Sequence, residues 1–335
     1  MNWYPWLNHA YRQIIAFHQN KQGHHALLLH ANAGMGSDSL IYAISRWLMC
    51  QQPVGMKSCG SCHSCHSCHS CQLMLAGTHP DWHKITAEKG KNTIGIESIR
   101  CLTDFLVSHA QQGGAKVIWF PAVEALTEAA SNALLKTLEE PTDKTYFFLE
   151  CRDPASLLAT LRSRCFYYYL SVPECKTAIS WLQKQKISLA QVDIETAIKL
   201  NAGAPLAALT LLQPDNWLKR KQFCQSLIQH LSTKTLLNWL PELDQPNASC
   251  RISWLISLLL DAVKYQQQAG NYCVNQDQSP LITKLAGINS VDILLKSATE
   301  WQNCRHQLMS VMGLNQELRL TSQLINWQNT IHHHN

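Results

Sequence analysis

Six cysteines, Cys50, Cys59, Cys62, Cys65, Cys68 and Cys71, fall within 22 residues, and the tripeptide Cys-His-Ser repeats in tandem between them. A Cys-x2-Cys step lets two thiolates on one tight turn face a common centre, and Zn2+ takes four such soft ligands in a tetrahedron. The spacing therefore predicts a structural Zn2+ site in a module at 50–71. Four thiolates leave no open coordination position, so such a site staples a loop and does no chemistry. Cys50 ends one expected helix and Cys71 begins the next, which makes Cys50, Cys59, Cys62 and Cys71 the preferred ligands. Cys65, Cys68, His63, His66 and His69 compete with them, because every step of the tandem has equivalent local geometry. A disulfide staple is disfavoured in a reducing compartment, and a redox pair would not call for so many thiols.

A second stretch, LLLHANAGMGSDSL from Leu27 to Leu40, has the shape of a phosphate-binding loop at a strand-to-helix junction. A working loop reads G-x-x-x-x-G-K-[ST]: backbone N–H groups cradle phosphate, the lysine neutralises the β and γ oxygens, and the hydroxyl holds Mg2+. With the second glycine placed on Gly36, Ala31 takes the first glycine position, Ser37 the lysine and Asp38 the hydroxyl. The charge of the lysine is lost, and Asp38 sets a carboxylate near any triphosphate. At about 4.5 Å and an effective dielectric near 20, one such repulsion is on the order of 3 to 4 kcal/mol. A micromolar site would weaken to about millimolar. The expectation is no ATP binding, with Gly34 and Gly36 making only a tight turn; weak anion attraction at the helix N-terminus is the residual function.

These groups need a scaffold, and its signals are periodic. From Ala26 to about Cys165 short apolar strands (ALLLH at 26–30, KVIWF at 116–120, YFFLE at 146–150) alternate with helical patterns. That alternation predicts an α/β layer with a mostly parallel sheet. Helices are expected at Ser39–Met49, around Ile99, Leu102 and Leu106, and after Thr127, whose helix carries Glu128 in its first turn and stops at Pro141. Beyond Val172-Pro173 only helical periodicity remains, including expected helices at Ile252–Gln268 and Trp301–Asn326. The expected organisation is an α/β domain at 1–168, a small helical domain at 169–212 and an all-α domain at 213–335.

Composition narrows the function classes. Hydrophobic residues make up 46% and charged residues only 15%, which excludes disorder. The balance of 28 basic against 23 acidic residues, a net +5, is too small to argue nucleic-acid binding from charge alone. The runs Lys84, Lys89, Lys91 and Lys219, Arg220, Lys221 read first as solvated faces and second as weak phosphate contacts. The opening MNWYPWLNHAYRQ lacks a secretory pattern, and WLISLLL at Trp254–Leu260 is too short to span a membrane, so a cytoplasmic location is expected.

Several phrases carry a resemblance: WYPWL near the start, HHALLLHANAGMG at 24–36, KSCG, AGTHPDW at 76–82, GGAKVIWF at 113–120, SNALLKTLEEP at 131–141, LLATLRSRC at 157–165 and QLMSVMGLNQELRLTSQLI at 307–325. Together they resemble the delta-prime family of subunits of the bacterial DNA polymerase III clamp loader. The resemblance implies an AAA+ module, a lid and a collar. It also implies partnership with gamma/tau-type motor subunits and a delta subunit in a heteropentamer that places a sliding clamp on primed DNA. The family's cysteine cluster has four cysteines, so the additional tripeptides here leave the middle ligand open. In the family the Ser-Arg-Cys triplet, here Ser163, Arg164 and Cys165, projects its arginine into the nucleotide site of an adjacent motor subunit. The resemblance therefore implies that Arg164 is a finger acting in trans, while Arg162 fits a helix face.

The same resemblance sharpens the loss of nucleotide chemistry. KVIWF should lead into an Asp-Glu pair for Mg2+ and the attacking water, but Pro121-Ala122 stand there and Glu124 comes two residues late. Leu206 occupies the lid position where active relatives have an arginine, and Cys151-Arg152 follow the third strand where a polar sensor is expected. The main expectation is a non-catalytic clamp-loader subunit. An active P-loop ATPase using Asp38 and a zinc-dependent nucleic-acid-binding protein are the rivals.

Overall fold

Strands that run apolar without alternation must be covered on both faces. ALLLH and KVIWF meet this condition, with four of five and five of five residues buried respectively. The computed structural model describes residues 2–59, 68–88, 90–185, 189–233, 235–311 and 313–332. It divides into two compact units, Met1–Pro173 and Glu174–Asn335. In the first unit the order is α1 (Leu7–Gln19), β1 (Ala26–His30), α2 (Ser37–Leu48), α3 (His69–Ala76), β2 (Trp82–Lys84), α4 (Ile96–Val107), β3 (Lys116–Phe120), α5 (Glu128–Glu139), β4 (Thr145–Cys151), α6 (Ala159–Arg162) and β5 (Phe166–Tyr169). The five strands form one sheet in the order β2-β3-β4-β1-β5, every pair parallel. The expected α/β class with a parallel sheet holds.

Side chains alternate between the faces of a strand. Ala26, Leu28, Ile118, Phe120, Phe147 and Leu149 share one hydrophobic cluster with Ile99, Leu102 and Leu106 of α4 and Leu134 and Leu138 of α5. Leu27, Leu29, Val117, Trp119 and Phe148, of the other parity, are buried on the opposite face. Thr127 caps α5, its hydroxyl accepting from Ala130 N at 3.2 Å, a contribution of about 1 kcal/mol. The helix expected at Ser39–Met49 begins earlier, at Ser37, directly after Gly36 with φ 76°.

β2 and β5 lie outside the expected strands. β2 is only Trp-His-Lys at one sheet edge, too short and polar to stand out. β5 is the run Phe-Tyr-Tyr-Tyr at the other edge, with Phe166, Tyr167 and Tyr169 exposed. Its pairing reaches His30↔Tyr169, so the break expected after residue 168 falls inside a strand and the unit continues to Pro173.

The second unit shows only helices among its described residues: α7 (Cys175–Gln183), α8 (Gln191–Leu200), α9 (Pro205–Leu211), α10 (Pro214–Thr233), α11 (Leu240–Leu243), α12 (Ala248–Gln266), α13 (Ser279–Ile288), α14 (Val291–Ser310) and α15 (Gln316–His332), with short 3-10 turns. Ala178, Leu182, Ile194, Ala197 and Trp217 belong to one small cluster. A larger one gathers α10 to α15 around Trp239, Trp301 and Trp327. The helix expected at Trp301–Asn326 is two helices. The first ends at Ser310 with Val311 extended, Gly313 follows at φ 78°, and Asn315 Oδ1 accepts from Leu318 N at 3.0 Å to start α15.

Arg220 departs from the solvated-face expectation. Its side chain is fully buried, donating to Asp277 Oδ2 at 2.5 Å, Asp277 Oδ1 at 3.1 Å and Asn275 Oδ1 at 2.8 Å. Its guanidinium also lies 4.8 Å from the centre of the Trp217 ring. Removing one partner of a buried ion pair leaves the other charge uncompensated. Arg220→Met is therefore expected to destabilise the chain by about 3 to 5 kcal/mol, read as a lowered denaturation midpoint; an unchanged midpoint would show that Asp277 finds solvent or another partner.

Candidate functional site

The glycine loop sits where β1 hands over to α2, between β4 and β5 in the sheet. Gly34 and Gly36 have φ of 82° and 76°, a left-handed backbone that glycine adopts without a Cβ penalty. Met35 between them is fully buried, and its carbonyl accepts from Trp6 Nε1 at 2.8 Å. Ala31, at the first glycine position, is buried. Ser37, at the lysine position, donates its hydroxyl to Glu150 Oε1 at 2.5 Å.

Glu150 is the residue that the sequence reading missed. It is the penultimate residue of β4, in register with Leu29, and brings a carboxylate to the head of the loop. Burial pushes its carboxyl above the usual range, the Ser37 hydrogen bond opposes that, and the charge of Asp38 adds to the rise. Asp38 itself is exposed and lines a cavity of about 330 Å³ with Trp82, Lys84 and Trp119. The position that a lysine would make positive thus holds a hydroxyl already committed to an acid, with a second acid one residue on. A charged residue ending an apolar strand was the signal available in YFFLE.

Glu124, the carboxylate two residues late after β3, is committed elsewhere. Its Oε1 accepts from Arg152 N and, at 3.1 Å, from Asp153 N, so it ties down the turn that leaves β4. Leu206 lies in the first turn of α9, after Pro205.

The cysteine cluster forms from α2's exit, the loop that follows and α3. Cys50, Cys59, Cys68 and Cys71 bring their sulfurs within 4.8 Å of one another. Cys50 Sγ and Cys59 Sγ are 3.3 Å apart, and Cys59 Sγ and Cys71 Sγ 3.7 Å. A tetrahedron with Zn–S near 2.3 Å has edges of about 3.8 Å, so the donor set fits a Zn2+ ion. Backbone N–H groups of Cys59 and Cys68 donate to the sulfurs of Cys50 and Cys59, both at 3.2 Å, which suits thiolate acceptors. Burial raises the Cys71 thiol; burial acts the same way on Cys68, but hydrogen bonds from the backbone of Cys71 and Gln51 outweigh it and draw that thiol down to about 7.

Three of the preferred ligands, Cys50, Cys59 and Cys71, are therefore together, and the fourth sulfur beside them belongs to Cys68. Cys62 lies outside the described residues, as do Cys65, His63 and His66. Cys68 precedes α3 directly, so it is held by the same rigid element as Cys71. The loop between Cys50 and Cys59 is itself anchored: Tyr11 donates to Met56 O at 2.7 Å, and Gln19 Nε2 and Trp47 Nε1 both reach Gly55 O at 3.0 Å.

Arg164 follows α6 and its Ser163 cap. Its Nε donates to Glu139 Oε1 at 2.5 Å, NH2 pairs with the same oxygen, and NH1 donates to Thr160 O at 2.7 Å. Arg162 is exposed at the end of α6. Of the basic runs, Lys84 lies over the Trp119 ring at 4.5 Å, Lys91 pairs with Glu88 at 2.6 Å, and Lys221 reaches Asp193 at 3.3 Å. Lys89 lies outside the described residues.

A parallel sheet of this order, a glycine loop after its first strand and a short helical module following it define an AAA+-type protein with a helical C-terminal region. Residues 6–174 match the family described as DNA polymerase III, delta subunit; residues 173–213 match DNA polymerase III subunit delta', AAA+ ATPase lid domain; and residues 214–329 match DNA polymerase III, delta subunit, C terminal. The chain is 56% identical over 335 residues to DNA polymerase III subunit delta' of Yersinia pestis, covering 99% of this chain and 97% of that protein. It is 46% identical over 325 residues to the Escherichia coli (strain K12) subunit of the same name, covering 97% and 95%. A shorter likeness, 31% over 147 residues, reaches DNA polymerase III subunit tau of Escherichia coli (strain K12), with 44% of this chain and 22% of that protein. The chain belongs to the delta-prime family of DNA polymerase III subunits. Among the described residues, no helix is long and apolar enough to cross a membrane.

Proposed function

We propose that this chain is a non-catalytic, cytoplasmic clamp-loader subunit that binds no ATP of its own and lends Arg164 to the ATP site of a neighbouring motor subunit. It assembles with gamma/tau-type and delta subunits, and through that complex it takes part in placing a sliding clamp on primed DNA. The 147-residue likeness to a tau subunit supports a ring of related modules. The nucleotide-silent part of the reading is carried by one observation: at the lysine position Ser37 donates to the carboxylate of Glu150 at 2.5 Å. A triphosphate there would meet Glu150 and Asp38 with no cation of the loop to balance them, and each unscreened like charge costs about 3 to 4 kcal/mol at 4.5 Å and an effective dielectric near 20.

Cys50, Cys59, Cys68 and Cys71 would hold a structural Zn2+, which supplies a crosslink between the end of α2, the following loop and α3. Arg164 would place a guanidinium on the γ-phosphate held by the neighbour, stabilising charge that develops as the phosphoryl group transfers.

Titration of the purified chain with Mg-ATP tests the silent loop. No saturation is expected below about millimolar nucleotide. Micromolar affinity, or turnover by the chain alone, would instead establish an ATPase of the same fold.

A further inference from the structure

We infer that Glu139 is a positioning residue for Arg164: its carboxylate, set at the rigid end of α5, holds the guanidinium by one edge and leaves a pair of N–H groups to take an oxyanion. This inference rests on Arg164 acting in trans, as proposed above. An arginine head carries five N–H donors in a fixed fork. Nε and one N–H of NH2 go to Glu139 Oε1, and one N–H of NH1 goes to Thr160 O at 2.7 Å. Two N–H groups remain, one on each terminal nitrogen, and among the described residues the further contact is a long one of 3.5 Å from NH1 to Ser163 Oγ. Those two form the edge that takes a phosphate oxygen pair bidentately. The side chain of Arg164 is 32% exposed, so it is anchored without being enclosed.

Two observations set this contact apart from an ordinary half-exposed ion pair. Glu139 is the last residue of α5, next to Glu140, where the negative end of the helix dipole makes a carboxylate locally unfavourable. A local rule broken in this way is expected where a side chain has a task beyond stability. The second is that the anchors come from separate elements, Glu139 from α5 and Thr160 from α6. They fix both the position and the plane of the guanidinium. Pro141 stops α5 two residues later, which fixes the backbone that carries Glu139. Pre-orientation of this kind removes the search for a productive geometry at the reacting phosphate.

The test uses the reconstituted clamp-loader complex, with ATPase stimulated by clamp and primed DNA. Glu139→Gln keeps the shape and removes the charge, and it is expected to lower kcat about tenfold with KM for ATP unchanged. Glu139→Ala should lower kcat at least as far. In an Arg164→Ala background Glu139→Gln should add nothing, because its only route to the reaction is gone. Unchanged or raised turnover in Glu139→Gln, beside a damaged Arg164→Ala complex, overturns the positioning role alone. An Arg164→Ala complex with full turnover removes the finger and the positioning role together.

Discussion

Complexes carrying Arg164→Ala are expected to assemble normally and to lose on the order of a thousandfold in turnover at the ATP site that Arg164 serves, the usual worth of an arginine finger. The prediction is large because a guanidinium on a transferring phosphoryl group acts where charge develops, in a site from which water is excluded. Arg164→Lys should rescue little. An ammonium supplies charge but no planar fork, and the contacts to Glu139 and Thr160 are built for a fork. Little loss of stability should accompany the kinetic loss, since Arg164 and Glu139 are a partly exposed pair and such pairs are worth about 0 to 1 kcal/mol. Single-turnover hydrolysis by the whole complex, beside gel-filtration of the assembled ring, separates the two effects. Full turnover in an assembled ring would remove Arg164 from the mechanism.

The second large effect concerns the metal. Chelation, or Cys71→Ser, is expected to release one zinc per chain and to loosen the first unit, because binding of a structural Zn2+ is worth about 10 to 16 kcal/mol, available only to the folded state. Cys71 is fully buried within the cluster, so no solvent ligand can take its place without opening α3. Cys68→Ser should lose the metal equally, whereas Cys62→Ser should keep it. Zinc content by atomic absorption and the thermal midpoint of each variant read the result directly. Retention of zinc by Cys68→Ser together with its loss in Cys62→Ser would return the fourth position to Cys62, and absence of zinc from gently purified protein would remove the metal altogether.

Much of the framework is legible along the chain. β1, β3 and β4 announce themselves as apolar runs between breakers, Thr127 marks its helix start, and the missing lysine at Ser37 needs no coordinates. The edge strands are not legible: β2 and β5 are paired on one side only and carry exposed or polar residues, so burial does not impose the pattern that reveals a central strand. The same limit explains the overlong helix at Trp301–Asn326. Apolar residues recur on both sides of the break, while the backbone leaves the helix at Val311, which is extended, passes through left-handed Gly313 and re-enters a helix only at Gln316.

The tandem repeat shows a different kind of limit. Identical Cys-x2-Cys steps have identical local geometry, so spacing can announce a thiolate site without choosing among its members. Among the described residues, the placement of α3, with Cys68 just before it and Cys71 within it, brings two sulfurs to Cys50 and Cys59.

What the chain determined by itself was local: which segments bury their backbone, where a turn needs glycine, that a phosphate loop lacks its cation, and that a thiolate cluster and a Ser-Arg-Cys triplet are present. The tertiary structure decided the pairings. Ser37 meets Glu150 across 113 positions, Arg220 meets Asp277 across 57, and Arg164 meets Glu139 across 25. Periodicity reports whether a side chain faces a core, because burial acts on each residue's own position in its helix or strand. It carries no record of which distant charge waits there, since that depends on how separate elements are stacked, and so the same basic run could hold a solvated lysine and a fully buried arginine side by side.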